Sequence, residues 1–234
     1  MSIEWSQTVV ERARAHAALG EPARLAIVDR LLVGDASPTE ISRALELPSN
    51  LLAHHLKLLE QAGLVARCRS EGDQRRTYLR LNLDTLINLG AFGPTGGRTA
   101  PRVVFVCTRN SARSPLAAAL WKGRSRVPVA SAGIDPAERV DPRALDVAAA
   151  HGLSLTVRTR HVGAVVRADD LVVAVCDAAH EQLDSLLAVP SDRLHWSVPD
   201  PAGAGTQDAF ELALSDLTAR IDRLVPVVQL PRSP

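Results

Sequence analysis

Cys107, Asn110, Arg113 and Ser114 lie within one stretch of eight residues. A thiolate is a strong nucleophile, and a guanidinium fork holds two oxygens of a tetrahedral oxyanion. Together these side chains point to attack by sulfur on a small oxyanion or its ester. The flanking sequence says how they are held. Val103-Val-Phe-Val106 is an unbroken apolar run, read as a strand buried on both faces. Ser114 and Pro115 read as the N-cap and first position of an Ala- and Leu-rich helix reaching Leu120. A strand that turns through a short loop into a helix N-terminus aims several N–H groups and a positive dipole end at one point. Such a field stabilises an anion. Taken alone, a cysteine closing a buried strand is also an ordinary core residue.

The run Cys107-Thr-Arg-Asn-Ser-Ala-Arg-Ser-Pro115 resembles the signature of low-molecular-weight protein tyrosine phosphatases and of the arsenate reductases that share their fold. The resemblance implies that Cys107 is the nucleophile and Arg113 the oxyanion ligand, with Asn110 and Ser114 shaping the loop. Thr108, Arg109, Ser111 and Ala112 complete the oxyanion-binding loop. Two positions depart from the family pattern. Arg109 stands where glycine is usual, and Ala112 where a second cysteine is often found. A left-handed backbone at the glycine position would strain Arg109.

The wider composition describes a globular chain of 234 residues, 46% apolar and 23% charged, with only 3% aromatic residues. Its cores must be built from Ala, Val and Leu. No run is long enough to span a bilayer, and Met1-Ser-Ile-Glu-Trp5 lacks a signal-peptide pattern. Three scattered cysteines argue against a disulfide framework and for a reducing cytoplasm. The net charge of +1 is balanced along the chain, with 11 basic and 11 acidic residues in 1–93 and 16 and 15 in 94–234. Bulk charge therefore gives no evidence for nucleic acid, and any such case rests on local clustering.

Local clustering does occur in the first ninety residues. Residues 4 to 34 read as helix, interrupted at Gly20-Glu-Pro22. Ser37-Pro-Thr-Glu40 is a capping signal for a helix over Thr39–Leu45, and Leu47-Pro-Ser49 is a turn. Ser49 or Asn50 then caps a helix from Leu51 to Gly63, completing a helix-turn-helix. Two strand-like pieces, 64–69 and 76–81, carry Arg67, Arg69, Arg76 and Arg80, and Arg75 lies between them. A basic hairpin in this place is either a solvated, guarded edge or the wing of a winged helix.

Leu51-Leu-Ala-His-His-Leu-Lys-Leu-Leu-Glu-Gln-Ala-Gly-Leu-Val65 resembles the ArsR/SmtB-type winged-helix repressors, over about eighty residues. The resemblance implies a homodimer, joined through this domain, on duplex DNA with a palindromic operator. Ser49, Asn50, His54, His55 and Lys57 would lie near the groove, and Arg67, Arg69, Arg75 and Arg76 near the backbone. Adjacent histidines diverge by about 100° on a helix, so no metal site is expected at His54-His55. The family's cysteine pair before the turn has no counterpart in Thr39–Leu45.

The expected fold is therefore two domains: a winged helix-turn-helix over 1–88, mostly α with a β-hairpin wing, and an α/β domain over 102–234. A Gly/Pro-rich linker, 89–101, joins them. Strands and helices alternate after Arg102, which means a short parallel sheet with a phosphate-binding loop and its ligand at the carboxyl ends of the strands. The family resemblance assigns the general acid to Asp200, in Trp196-Ser-Val-Pro-Asp-Pro-Ala-Gly203. Phosphotyrosine enzymes usually place aromatics after that Asp-Pro, whereas Ala202-Gly203 follow here. Asp170-Leu-Val-Val-Ala-Val-Cys176 resembles the strand that brings a second redox cysteine in arsenate reductases. Cys176 is thus either a resolving thiol or a buried strand cysteine, and Leu183 stands where a third cysteine is often found. Three readings follow: a regulator fused to an arsenate reductase, to a phosphatase of phosphate monoesters, or to an oxyanion-sensing domain. No bound cofactor is expected; an arsenate reductase would need an external thiol or redoxin.

Overall fold

The structure, a computed structural model, describes residues 7–89, 98–187 and 192–231. They form two compact units. Residues to 69 with 75–89 make the first, and residues 70–74 with those from 98 onward make the second. The expected linker falls largely on residues 90–97, outside the described residues.

The first unit is built from α1 (Gln7–Leu19), α2 (Pro22–Leu32), α3 (Pro38–Ala44), α4 (Ser49–Gln61), β1 (Val65–Arg69), β2 (Thr77–Leu81) and α5 (Leu83–Asn88). Pro22 opens α2 because its missing N–H falls where no helical bond is made, and Glu21 caps it through Ala23 N and Arg24 N. Ser37 and Glu40 form the expected reciprocal capping box on α3. At α4 the expected cap is not found. Pro48 is the N-cap, without a side-chain bond, so neither Ser49 nor Asn50 caps this helix. The other end follows expectation: Gly63 takes φ 68°, letting Leu64 N reach Leu59 O and Gly63 N reach Glu60 O. Leu52, Leu56 and Leu59 pack with Ile27, Val28, Leu31 and Ile41 in one core. β1 and β2 pair antiparallel, and Ala36 bridges Leu79 as a third edge. This is a helix-turn-helix followed by a hairpin.

The second unit contains β3 (Arg98–Thr99), β4 (Val103–Cys107), α6 (Arg113–Lys122), β5 (Val129–Gly133), α7 (Pro142–Ala150), α8 (Val162–Val165), β6 (Leu171–Ala174), α9 (Asp177–Leu186), β7 (Asp192–His195), α10 (Pro201–Ala204), α11 (Gln207–Leu224) and β8 (Val228–Gln229). The main sheet is parallel, in the order β5-β4-β6-β7. Val103 to Val106 are fully buried, as an apolar run between helix-covered faces must be. Phe105 sits 6.0 Å from Trp121 and 5.6 Å from Trp196, ring to ring, which concentrates much of the scarce aromatic content under β4. The chain runs from β4 to β5 on one side and later returns to β6 on the other. The carboxyl end of β4 is therefore the switch point of the sheet, where a crevice opens. Cys107 is its last residue. α11 ends at Leu224, because Pro226 cannot continue it.

Candidate active site

The loop from Cys107 to Arg113 is fixed by its backbone to the segment after β5. Ile134 N donates to Cys107 O, Asp135 N to Thr108 O (2.9 Å) and Ala137 N to Arg109 O (2.9 Å), and Asp141 N donates to Ser111 O (2.8 Å). Gly133 permits this approach. A Cβ there would sit 2.9 Å from both Asn110 N and Thr108 O, and backbone atoms cannot swing aside. Asn110 takes the left-handed conformation, φ 49°, which its side chain tolerates better than most. Its Oδ1 accepts from Arg160 N (2.9 Å) and its Nδ2 donates to Ser114 Oγ (2.9 Å).

Ser114 is not an N-cap. α6 begins one residue earlier, at Arg113, with Ala112 in the cap position and no side-chain cap bond. Ser114 faces the loop from inside the first turn, with Oγ 3.1 Å from Cys107 Sγ and 3.2 Å from Ala132 O. A hydroxyl has one proton. Because Asn110 fills one of its lone pairs, that proton goes either to Ala132 O or to the sulfur. Ionised Cys107 draws it to sulfur, whereas a Cys107 thiol can itself donate to Oγ. Pro115 is the third helical residue, where no N–H is required.

Arg113 is buried, with 6% of its surface exposed. Nη1 donates to Val198 O (3.0 Å) and lies 3.8 Å from Glu71 Oε2, while Nη2 lies 3.4 Å from Asp200 Oδ1. Burial works against its charge, but Cys176, Cys107, Asp200 and Glu71 outweigh that and raise its pKa. Asp200 caps α10 by accepting from Ala202 N, and its side chain remains exposed. One carboxylate and one guanidinium thus face each other at the carboxyl end of the sheet, beside the loop that starts at Cys107. Arg109 turns elsewhere, donating to Asp135 Oδ2 at 2.7 Å, so it adds no cation to the loop mouth.

Cys176, buried between β6 and α9, has its Sγ 3.5 Å from Thr108 Oγ1. Burial pushes its thiol pKa up, Arg113 pulls it down and Cys107 raises it further; the outcome is upward. Beside it lies a polar group that no sequence motif announces. Asp177 accepts from His195 Nε2 (2.9 Å) and from Glu71 N (2.8 Å), with both rings of the His180–His195 pair stacked 4.2 Å apart. Burial raises the Asp177 pKa, but bonds from His195, Glu71 N and Ser197 bring it below its ordinary value. Neither Asp177 nor Glu71 belongs to a local motif. Gly133, ending an apolar strand, was the one missed residue with a local signal.

In the first unit, Ser49, Asn50, His54 and Lys57 are exposed on α4. His55 is not. It is 7% exposed, with Nδ1 3.5 Å from Glu21 Oε2, because it shares the inward face with Leu52, Leu56 and Leu59. Arg69, Arg75 and Arg76 are exposed, and Arg67 pairs with Glu60 at 2.6 Å. Among the described residues no group of histidine, cysteine and acidic side chains could hold a metal. No described helix is long and apolar enough to cross a membrane.

The profile of the low molecular weight phosphotyrosine protein phosphatases matches residues 102–232, more than half of the chain. The chain belongs to that family. A helix-turn-helix domain profile matches residues 19–68, so a helix-turn-helix domain precedes the phosphatase-family domain. Similar solved structures include an arsenate reductase from Archaeoglobus fulgidus, 32% identical, covering 53% of this chain and 98% of that one with a TM-score of 0.47. The tyrosine phosphatase AmsI of Erwinia amylovora is 24% identical over 56% of this chain and 94% of its own, with a TM-score of 0.50, a likeness of fold. The tyrosine phosphatase Wzb of Escherichia coli K30, solved with sulphate, is 22% identical over 55% and 98%, with a TM-score of 0.49. No curated protein matches the chain.

The departures from the phosphatase pattern have local explanations. Arg109 escapes strain because Asn110, and not Arg109, takes the positive φ. Ala112 is buried at the head of α6. Leu183 is fully buried on α9, so its position is filled by packing.

Proposed function

We infer that the phosphatase-family domain is a cysteine-dependent oxyanion enzyme that reduces arsenate, fused to a DNA-binding regulator. The observation that carries this reading is the second thiol beside the loop: Cys176 Sγ lies 3.5 Å from Thr108 Oγ1, and Arg113 feels both Cys107 and Cys176. Cys107 thiolate attacks arsenic(V), forming a sulfur–arsenic bond as an oxygen leaves. Asp200 supplies the proton for that oxygen, Arg113 holds two of the others, and the Ser114 proton supports the sulfur. Cys176, whose thiol pKa is raised by burial, gives up its proton to an oxygen of the departing arsenite as its sulfur attacks Cys107 sulfur. The sulfur–arsenic bond breaks, arsenic keeps the electron pair and leaves as arsenite, and a Cys107–Cys176 disulfide remains. Thioredoxin or another external dithiol reduces it, which makes two electrons in all.

A second reading rests on Asp200 and the lack of any need for Cys176. The same loop forms a cysteinyl phosphate from a phosphate monoester, Asp200 protonates the leaving oxygen, and water completes hydrolysis. Ala202 and Gly203 after Asp200-Pro201 offer no aromatic ring to grip phosphotyrosine, which favours arsenate. Turnover of arsenate and of p-nitrophenyl phosphate on one preparation separates the two readings. Turnover of neither, with oxyanion binding retained, leaves a sensing domain.

For the helix-turn-helix domain we infer an ArsR-type dimer in the cytoplasm, reading a palindromic operator with Ser49, Asn50, His54 and Lys57 of α4 and the arginines of the hairpin. The exposed polar face of α4 supports this assignment. Gel-filtration mass and a footprint on the promoter of its own gene test it; a monomer without a footprint contradicts it.

A further inference from the structure

Both terminal nitrogens of Arg113 face carboxylates, and one of these comes from the short segment 70–74 of the same compact unit. Glu71 Oε2 lies 3.8 Å from Nη1 and also accepts from Asp200 N at 3.2 Å. The segment is seated, not merely adjacent. Glu71 N donates to Asp177 Oδ2 at 2.8 Å, and Ser70 Oγ donates to Glu181 Oε1 at 2.5 Å. Ser70 Oγ also accepts from Gly72 N and Asp73 N, at 2.9 and 3.1 Å. Gly72 lies so close to α9 that a Cβ would meet Ala178 Cα at 2.9 Å and Ala178 N at 3.0 Å. The glycine, the serine hydroxyl and the backbone N–H together hold one carboxylate over the guanidinium.

We propose that Glu71 is a residue of the oxyanion site, a built-in carboxylate that competes with the incoming anion for Arg113 and so sets the affinity of the site. This rests on the reading of the loop as an anion site. A tetrahedral anion that takes the Arg113 fork must displace Glu71 from Nη1, and a dianion also meets the negative charge it carries. The surroundings already bear the sign of that crowding. Burial raises the Glu71 pKa, Arg113 and the bond from Asp200 N lower it, and the charges of Asp177 and Asp200 raise it; the outcome is upward. The charged and titratable groups that face it are Arg113 from α6, Asp177 from α9 and Asp200 at the start of α10, with Glu181 of α9 beside Ser70.

The test is calorimetric titration of the full chain with sulfate, which stays dianionic across the working range, at constant ionic strength. Parent, Glu71→Gln and, as a control for bulk charge, the exposed Asp208→Asn are compared. Glu71→Gln is expected to tighten sulfate binding by up to about fivefold, the scale of losing one close charge at a half-exposed position. Asp208→Asn leaves the affinity as it was. As pH falls through the raised pKa of Glu71, parent and Glu71→Gln converge. Equal affinity of parent and Glu71→Gln at pH 7, or a matching gain in Asp208→Asn, overturns the proposal and leaves the anion site standing. Sulfate binding to no form overturns the anion-site reading and this inference with it.

Discussion

At the scale of single residues, the site depends on one proton and one missing carbon. Ser114 has a single hydrogen to share between Ala132 O and Cys107 Sγ, so Ser114→Ala removes the donor that meets the charged sulfur. We expect kcat for arsenate or for p-nitrophenyl phosphate to fall about a hundredfold with KM little changed, as for other preorganised donors; an unchanged kcat removes Ser114 from the mechanism. Gly133→Ala places a Cβ against Asn110 N and Thr108 O. It should destabilise the second unit by about 1–3 kcal/mol and impair turnover, both read from a denaturation curve and a rate on one sample. Cys107 and Arg113 stand out in the sequence because they share one short run between an apolar strand and a helix, whereas Asp200, far along the chain, is singled out only through the family resemblance. Ser114 was legible in kind but not in role, since capping statistics cannot tell a cap from a first-turn serine facing back into the loop. Glu71 and Asp177 meet across 106 residues, and nothing in either neighbourhood announces the other.

The elements were easier to read where a local signal and the buried face agree. The apolar run of β4, the capping box of α3 and the glycine ending α4 each state one structure at two levels, and the fold follows them. Where two candidates compete locally, as with Ser49 and Asn50, the sequence does not choose, and in the fold Pro48 takes the cap position instead. His55 shows the same limit: its polar character suggested a groove contact, but the period of α4 sets it among Leu52, Leu56 and Leu59. Short elements such as α8, α10 and the β3–β8 pair carry too few residues for any period to show. For the hairpin, replacing Arg75 and Arg76 together by alanine should weaken binding to all duplex sequences alike. It should also reduce the slope of log K against log salt by about two. A slope equal to that of the parent makes these arginines bystanders.

At the scale of the whole molecule, the second unit depends on a buried acid being charged. The Asp177 pKa is below its ordinary value of 3.8, so Asp177 contributes stability that is present above that value and is lost as pH falls through its lower folded pKa. Asp177→Asn should therefore be less stable than the parent at pH 7, and the two should draw together below about 3.8 in a thermal scan across pH; a gap that persists in acid denies this role. Arsenate reduction by this domain requires the second thiol. The most direct test is the initial rate of thioredoxin-driven arsenite formation by the full chain and by Cys176→Ala, with p-nitrophenyl phosphate hydrolysis checked on the same samples to show an intact loop. The predicted result is steady arsenite release by the parent and none beyond a first adduct by Cys176→Ala. Equal arsenite release by both proteins, or hydrolysis without arsenite from the parent, would contradict it.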